Sequence, residues 1–173
     1  DTARGWSGQL DDEVTVGMSY DRTFRRLARL GDSAFGADLT PTAGVTMGTV
    51  HTHARLGVMG RIGEDLRNDY GPPRVRPSLA GAGFFTPQDS FSWYLFGGVE
   101  GRAVAHNLFL DGSLFRRQDS DLTSRDFVAD IQAGAVLQFE NVQVGFTVVF
   151  RTEEYVEQSA PQRFGAFSLS GKF

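Results

Sequence analysis

Apolar and polar residues alternate over long stretches of this chain, and this alternation limits its fold more than any other feature. In the stretch 142–151, one set of alternate positions is entirely Val and Phe, and the other is mostly Gln, Gly, Thr and Arg. Because successive side chains of a strand point to opposite faces, the pattern predicts a β-strand with one apolar and one polar face. The same period predicts seven strands, at residues 13–21, 33–47, 51–63, 91–105, 125–139, 142–151 and 163–173.

The predicted strands are long. Strands of globular proteins usually have about 5–6 residues, whereas strands that cross a bacterial outer membrane have about 9–11, and the alternation here lasts for about ten or more residues in each predicted strand. The last stretch ends at Phe173, and its alternating aromatic end resembles the signal that the barrel-insertion machinery reads in outer-membrane proteins. The sequence therefore predicts an all-β protein, an antiparallel transmembrane β-barrel in the bacterial outer membrane.

The polar faces of the predicted strands carry charged residues that suit the interior of such a barrel: Asp38, Arg55, Arg61, Glu100, Arg102, Asp130 and Arg151. Inside a barrel, opposite charges can pair away from lipid. Aromatic residues stand near the strand ends, as in the girdle of a membrane barrel: Trp93, Phe127, Phe139, Phe150 and Phe173. A soluble all-β binding module, whose charged face would meet water, is the alternative that this pattern leaves open.

Composition limits the remaining possibilities. The 173 residues are enough for one domain, which we interpret as a single β-barrel domain over residues 1–173. The net charge of −4 gives no basic footprint for nucleic acid. The chain has no Cys, which excludes disulfides and thiol catalysis. It also has no apolar run of about 18 residues that would predict a transmembrane helix.

Three stretches interrupt the alternation. Pro41 lies within the second predicted strand and predicts a bulge or a lost ladder hydrogen bond there. The Arg-rich residues 22–30 are predicted to end the first strand and to form a turn. Residues 64–90 hold four of the six prolines, and they predict a long, ordered connection rather than sheet.

The number of predicted strands is odd, whereas a complete bacterial barrel has an even number. Both termini of such a barrel normally lie on the periplasmic side. If Phe173 is periplasmic, counting back through seven strands puts the loop before Val14 on the outer surface. The count therefore predicts that this chain is a carboxyl-terminal fragment that lacks an odd number of first strands.

The chain holds few groups suited to catalysis. His51 and His53 share one face of a strand and could bind a metal, but no Cys or adjacent acid completes a site. His106 follows Glu100 and Arg102 on the same nominal face, where it is either a general base or a solvated loop histidine. Glu100 and Arg102 are predicted to form a structural pair. The residues alone show no catalytic constellation and no metal site.

Several motifs together resemble the outer-membrane lipid A 3'-O-deacylase family. The matching stretches are Gly5–Glu13, Tyr70–Ser78, Gly81–Phe85, Trp93–Ala105, Leu108–Gly112 and Val149–Thr152. The resemblance runs nearly from end to end and implies a twelve-stranded barrel, of which this chain would hold the last seven strands. It also implies a calcium-dependent carboxylic ester hydrolase that removes the 3'-linked acyloxyacyl chain from lipid A, with lipid A or lipopolysaccharide as its substrate.

The resemblance places the catalytic centre before this chain. The general-base His of the family would lie just upstream of Asp1, and the Asn-Asp pair that helps to bind calcium would lie further upstream. No catalytic residue or calcium ligand is therefore assigned here, and the fragment alone is expected to be inactive. Asp1, Trp6, Gln9 and Glu13 are candidates for the edge of the site, or they only brace its loop.

A barrel without chemistry, either a channel or a structural protein, is the main alternative to the enzyme. Charged groups that fill the interior, such as Arg55, Arg61, Glu100 and Arg102, would argue against a channel. The other expected partners are the lipids of the outer membrane and the barrel-insertion machinery. The protein is expected to be a monomer.

Overall fold

The computed structural model describes residues 14–24, 28–31, 35–67, 69, 85–87, 89–111 and 124–172. Within these ranges the chain forms eight β-strands and one short helix, with these bounds: β1 Gly17–Thr23, β2 Ala28–Gly31, β3 Phe35–Gly48, β4 His51–Glu64, β5 Ser92–Asn107, α1 Leu108–Asp111, β6 Phe127–Phe139, β7 Val142–Arg151 and β8 Gln162–Gly171. No helix in the described ranges is long and apolar enough to cross a membrane. The predicted all-β class is confirmed.

The strands form one antiparallel sheet in which neighbours in sequence are mostly neighbours in space. Its order is β1-β3-β4-β5-β6-β7-β8, and β2 pairs with β3 beyond the end of β1. Antiparallel neighbours can be joined by tight turns, such as Glu140 and Asn141 between β6 and β7. Among the described residues β1 and β8 do not pair, so the sheet is open at these two edges.

The predicted strand boundaries agree closely with the observed ones. From β3 to β8, each predicted boundary lies within two residues of the observed boundary. The turn after β6 also follows local chemistry, because Glu140 has a φ of 47°, the left-handed conformation that a two-residue hairpin turn requires. The hydrophobic period therefore sets where strands run, and turn geometry sets where they end.

The region around Pro41 is irregular, as predicted. Thr23 at the end of β1 pairs with Thr42, and Ala28 at the start of β2 pairs with Leu39. The regular pairing of described residues to β3 therefore stops at Thr42 and resumes at Leu39, and it is interrupted opposite Thr40 and Pro41. The predicted end of the first strand is confirmed, because β1 ends at Thr23. The turn predicted within residues 22–30 was wrong for the last of these residues, because Ala28–Leu30 belong to β2 and pair with β3.

The exposed face of the sheet is apolar, which is the reverse of a soluble protein. Phe167 and Leu169 on β8 are 70% and 67% exposed, and Ile131 on β6 is 57% exposed. Other long strands expose large apolar side chains in the same way: Leu39, Val45, Met47, Leu56, Ile62, Leu95, Val99, Leu137, Phe146 and Phe150. A continuous apolar band of this kind is the surface that a membrane barrel presents to lipid.

The opposite face of the sheet is buried and mixes polar with apolar groups. A small apolar cluster comprises Met59, Leu66, Tyr94, Phe96 and Val136. Buried polar side chains lie around this cluster: Asp38, Thr42, Arg55, Arg61, Ser92, Gln138, Gln143, Thr147 and Arg151. The sheet curls around this face. Arg61 on β4 and Gln143 on β7, which are not neighbouring strands, both donate hydrogen bonds to the carboxylate of Asp69. The polar face is thus the inside of a barrel wall.

The sheet has two ends, which we name by their connections. The α1 end carries the turn between β3 and β4, the helix α1 and the segment between β7 and β8. The opposite end carries the turn between β6 and β7 and the long connection between β4 and β5. The predicted connection at residues 64–90 falls at this opposite end, and only part of it lies among the described residues.

Candidate functional site

Five polar groups form a closed cluster inside the sheet near the opposite end. We call them the Arg61 cluster: Asp38, Arg61, Asp69, Tyr94 and Gln143. The Arg61 guanidinium donates to both oxygens of Asp38, at 2.9 and 2.5 Å, and its Nη1 donates to Asp69 Oδ1 at 3.0 Å. The Tyr94 hydroxyl and Gln143 Nε2 donate to the Asp69 carboxylate at 3.1 and 2.6 Å.

The Arg61 cluster satisfies the charges that it buries. The side chains of Arg61, Asp38 and Asp69 are 5%, 2% and 3% exposed. Such burial is costly unless each charge is paired and hydrogen-bonded, and here one cation lies between two carboxylates while two neutral donors serve the second carboxylate. Asp38 stands opposite Arg61 in the β3–β4 register, so the pair follows from strand pairing. We interpret this cluster as structural.

The connection between β4 and β5 enters the interior beside this cluster. Asp69 and Phe85 form an isolated antiparallel bridge, and Phe85 is 1% exposed. Gln138 Nε2 donates to the Thr86 carbonyl at 2.8 Å, and Lys172 Nζ donates to the Phe85 carbonyl. The described parts of the connection therefore touch β4, β6, β7 and the residue that follows β8, and they fill this end of the interior.

The α1 end holds a cavity of about 360 Å³, which we call the α1-end cavity. Charged groups of β5 to β7 and of the segment after β7 line it: Glu100, Arg102, Asp130, Arg151 and Glu154. Arg151 binds both oxygens of Asp130, from Nε at 2.8 Å and from Nη2 at 2.9 Å. Its Nη1 donates to Glu154 at 3.3 Å.

Arg102 is bound more loosely than Arg151. Its Nη2 lies 3.4 Å from Asp130 and 3.7 Å from Glu154. Its Nε is buried without a hydrogen-bond partner. Glu100 stands opposite Asp130 in the β5–β6 register. Neither a hydrogen bond nor an ion pair joins Glu100 to another residue in the described ranges. The predicted pair of Glu100 with Arg102 was wrong, because Asp130 on the adjacent strand lies closer to the guanidinium.

A second ion pair lies at the side of this cavity. Arg55, which is 7% exposed, donates to Asp21 on β1 across β3. Gly44 on β3 makes room for this pair, because a Cβ at that position would overlap both charged side chains. The glycine is thus explained by the ion pair that passes over it, and the pair joins three strands of the wall.

The three histidines do not act together. His51 and His53 line the cavity with their ring centroids 6.5 Å apart. The β4–β5 register shifts between Thr52 and His53, so that His106 pairs with Thr52. His106 is not among the residues that line the cavity. Its predicted common face with Glu100 and Arg102 was therefore wrong, because the bulge reverses the alternation before the strand ends.

Ser124, Asp111 and His106 lie close together, yet they do not form a nucleophilic triad. Ser124 Oγ donates to one oxygen of Asp111, and His106 Nδ1 is 3.8 Å from the other oxygen. A nucleophilic serine needs a direct hydrogen bond to its base, whereas here the carboxylate stands between them. Asp111 also accepts from the Asn107 amide at 2.7 Å. The group fastens α1 to the end of β5 and to Ser124, which precedes β6.

No group of three or more His, Asp or Glu side chains within the described ranges could hold a metal ion. Of the acids that line the α1-end cavity, Asp130 and Glu154 are engaged with arginines and Glu100 is not. The candidates for the edge of the site, Asp1, Trp6, Gln9 and Glu13, lie outside the described residues. Phe173, which ends the last predicted strand, also lies outside them.

The comparisons with known proteins agree with this architecture. A family model described as "Outer membrane protein LpxR" matches residues 1–173. The chain belongs to the LpxR family. Among solved structures, LpxR from Salmonella typhimurium matches this LpxR-family chain with a TM-score of 0.75 and 16% identity, over 97% of this chain and 55% of that chain. No curated protein matched.

Family membership places the LpxR-family chain in the outer membrane, as its sequence predicts. The structural match, at 16% identity, shows the shared barrel-wall fold. The chain spans about half the length of the solved LpxR. The exposed apolar band and the polar interior agree with a location in the outer membrane, because a membrane barrel has an apolar outer surface and a polar interior.

The predicted set of interior residues contained only charged residues, so it left out Tyr94 and Gln143. Both occupy the same alternate positions as the charged residues, and the period-two pattern places them on the interior face. Asp69 and Glu154 lie outside the regular strands. No periodic signal marks such positions, and only the folded chain shows that they carry the carboxylates that Arg61 and Arg151 bind.

Proposed function

We propose that the protein containing this chain hydrolyses the ester bond of the 3'-linked acyloxyacyl chain of lipid A, and that this chain forms part of the barrel wall around the site. Membership in the LpxR family over residues 1–173 carries the proposal. The motifs that resemble lipid A 3'-O-deacylases support it. Because the chain spans about half of the solved LpxR, the activity is proposed for the whole protein.

The geometry supports a substrate that lies in a membrane. The exposed apolar band would contact lipid, and the α1-end cavity opens among polar groups at one end of that band. In the orientation inferred from the sequence, with Phe173 periplasmic, the α1 end faces the outer surface. Lipopolysaccharide is the lipid of the outer leaflet, so its headgroup would reach this end of the barrel.

Ester hydrolysis needs an activated water and stabilisation of the charge that develops on the carbonyl oxygen. The described residues do not supply these groups, and the general base is proposed to lie upstream of Asp1. Calcium was expected from the resemblance, but the described carboxylates do not fit it, because Arg61, Arg102 and Arg151 occupy most of them. We assign no step to calcium, and the role of this chain is to shape and support the site.

The interior argues against a channel. The Arg61 cluster and Phe85 occupy the interior at the opposite end, and among the described residues there no buried side-chain nitrogen or oxygen lacks a hydrogen-bond partner. A conducting barrel instead keeps a water-filled lumen. The non-enzymatic alternative would therefore be a structural barrel rather than a pore.

Mass spectrometry of lipid A from cells that express the full-length parent protein tests the proposal. The expected result is lipid A that has lost its 3'-linked acyloxyacyl chain, and replacement of the upstream His by Ala should abolish this loss. Unchanged lipid A, with calcium supplied and the protein shown to be in the outer membrane, would contradict the proposal and favour a barrel without this chemistry.

A further inference from the structure

The α1-end cavity combines a hydrogen-bond donor and an acceptor that have no adequate protein partner. All contacts of Arg102 run through Nη2 and are long, so its Nε and Nη1 donate to no described residue. Glu100, two residues away on β5, accepts from none. Of the neighbouring charges, Arg151 binds Asp130 and Arg55 binds Asp21, whereas the exposed Arg125, which also lines the cavity, has no ion pair within the described ranges. Because Nε of Arg102 is buried, the cavity leaves Nη1 of Arg102, the Arg125 guanidinium and the Glu100 carboxylate available to a ligand.

Ring faces complete the lining. The His51 ring lies 6.0 Å from the Phe109 ring, with a tilt of 52° between their planes. Phe109 on α1 is 62% exposed, and Tyr155 also lines the cavity. Flat apolar surfaces therefore stand beside the free polar groups. Such a combination orients a ligand by hydrogen bonds while it covers the apolar parts of that ligand.

The charge balance of the cavity selects among ligand classes. A simple anion would meet Glu100, and a simple cation would meet Arg102 and Arg125, so neither ion is well matched. A ligand with several hydroxyl groups both donates and accepts hydrogen bonds, and it can use both side chains. A sugar ring has such hydroxyls and also a C–H face that can lie against an aromatic ring. A volume of about 360 Å³ is at the small end of ligand pockets.

We infer that the α1-end cavity is a saccharide subsite, which holds a sugar unit of a glycolipid headgroup. Glu100 accepts a hydrogen bond from a sugar hydroxyl, Arg102 donates to a sugar oxygen, and Phe109 lies against the ring face. The inference rests on the proposed function and deepens it, since it gives the sugar portion of the substrate a position apart from the ester that is cleaved. Glu100 and Arg102 are binding residues in this account.

A binding titration tests the inference. The full-length parent protein, purified in detergent, is titrated with the water-soluble saccharide obtained by removing all acyl chains from lipopolysaccharide, and heat is recorded by calorimetry. Glu100→Gln and Arg102→Gln are each expected to weaken binding by roughly tenfold to a hundredfold, the loss for one hydrogen bond to a charged group. Val99→Leu, on the lipid-facing side of the same strand, should leave the affinity unchanged.

The controls keep the result decisive. Folding of each variant is checked by its heat-modifiable mobility in gels, and Glu100→Gln, which keeps the side-chain volume, decides the question alone if Arg102→Gln does not fold. No binding by the unaltered protein, or an affinity of both variants equal to that of the unaltered protein, would overturn the inference. Inorganic phosphate that binds as tightly as the saccharide would overturn it in favour of an anion site.

Deacylation of intact lipid A is measured separately, so that the subsite and the proposed function can fail independently. Deacylation without saccharide binding refutes only the subsite, and binding without deacylation refutes only the proposed function.

Discussion

The two polar regions of the interior differ in how completely their charges are paired. In the Arg61 cluster, the guanidinium and both carboxylates are 5% exposed or less and are joined by bonds of 3.0 Å or shorter. In the α1-end cavity, Arg102 is 16% exposed, its closest carboxylate oxygen is 3.4 Å away, and Glu100 has no partner among the described residues. One region is closed by its own contacts, and the other is not.

This difference separates a structural role from a binding role. A buried network in which every charge is paired rigidifies the wall that contains it, and it offers nothing to a ligand. A cavity with a loosely paired guanidinium and a carboxylate that has no partner among the described residues leaves hydrogen-bonding groups incompletely satisfied, which a protein tolerates where a ligand or water completes them. Both regions lie on one curved sheet, so strands β4, β5 and β7 contribute residues to the Arg61 cluster and also to the α1-end cavity.

The largest effect is expected from removing the central cation of the Arg61 cluster. Arg61→Ala would leave Asp38 and Asp69 buried without their partner, and it should lower the free energy of unfolding by about 3–5 kcal/mol. Urea unfolding of the full-length protein in lipid vesicles measures this. Arg163→Ala is a matched control, because Arg163 is exposed and only lies over the Phe150 ring at 5.1 Å. Equal stability of both variants would contradict the structural role of the Arg61 cluster, and with it the contrast with the α1-end cavity.

A charge on the outer face should have the next largest effect. Ile131 is 57% exposed, and if this face meets lipid, Ile131→Arg should cost about 2–4 kcal/mol near the bilayer midplane. Ile131→Ala is the control for loss of the side chain itself. The same unfolding assay applies. A soluble sheet would tolerate Ile131→Arg with little change, so a neutral result would contradict the membrane assignment.

Removing one donor of the Arg61 cluster should have an intermediate effect. Tyr94→Phe deletes the hydroxyl that donates to Asp69 at 3.1 Å, and the carboxylate keeps Arg61 and Gln143. The expected loss is roughly 1.5–3 kcal/mol, as for one buried hydrogen bond to a charged group. Tyr20→Phe, at a position 63% exposed, should change stability little. Equal losses in both variants would show that the hydroxyl of Tyr94 is not specifically engaged.

The smallest effect is expected at the α1 end. Arg102→Gln should lower the free energy of unfolding by less than about 1 kcal/mol, because its pair is long and Asp130 stays bound to Arg151. Unfolding in the same vesicles tests this against Arg61→Ala. A loss as large as that of Arg61→Ala would mean that the cavity is structural after all, and it would remove the distinction between the two regions.

The strands could be predicted from the sequence because the alternation of apolar and polar residues begins and ends close to the ends of each long strand. The polar positions of β3 to β7 lie on the buried face, and the ends of these strands follow the pattern closely. The local irregularities could not be placed so well. The bulge between Thr52 and His53 shifts His106 off the face that the simple period gives it, and a period-two count cannot see an extra residue.

The partners of the interior charges were also beyond the sequence. Asp38 opposite Arg61 follows from strand register, once the turn between β3 and β4 is known. Asp69 does not, because it arrives from the proline-rich connection by a path that no pattern describes. The same holds for Glu154 beside Arg151. Long-range side-chain pairing depends on how the sheet curls, and that curvature is a property of the whole sheet.

The most direct test of the account concerns which face of the sheet meets lipid. The chain has no Cys, so single cysteines can be placed at successive positions 129–136 of β6 in a full-length protein kept free of other cysteines, and each can carry a fluorophore. We predict that a lipid-borne quencher acts at Ala129, Ile131, Ala133 and Ala135 and spares the positions between them. Quenching without this period of two, or quenching of the odd positions by a water-soluble agent instead, would contradict the claim that this chain is a wall of an outer-membrane barrel.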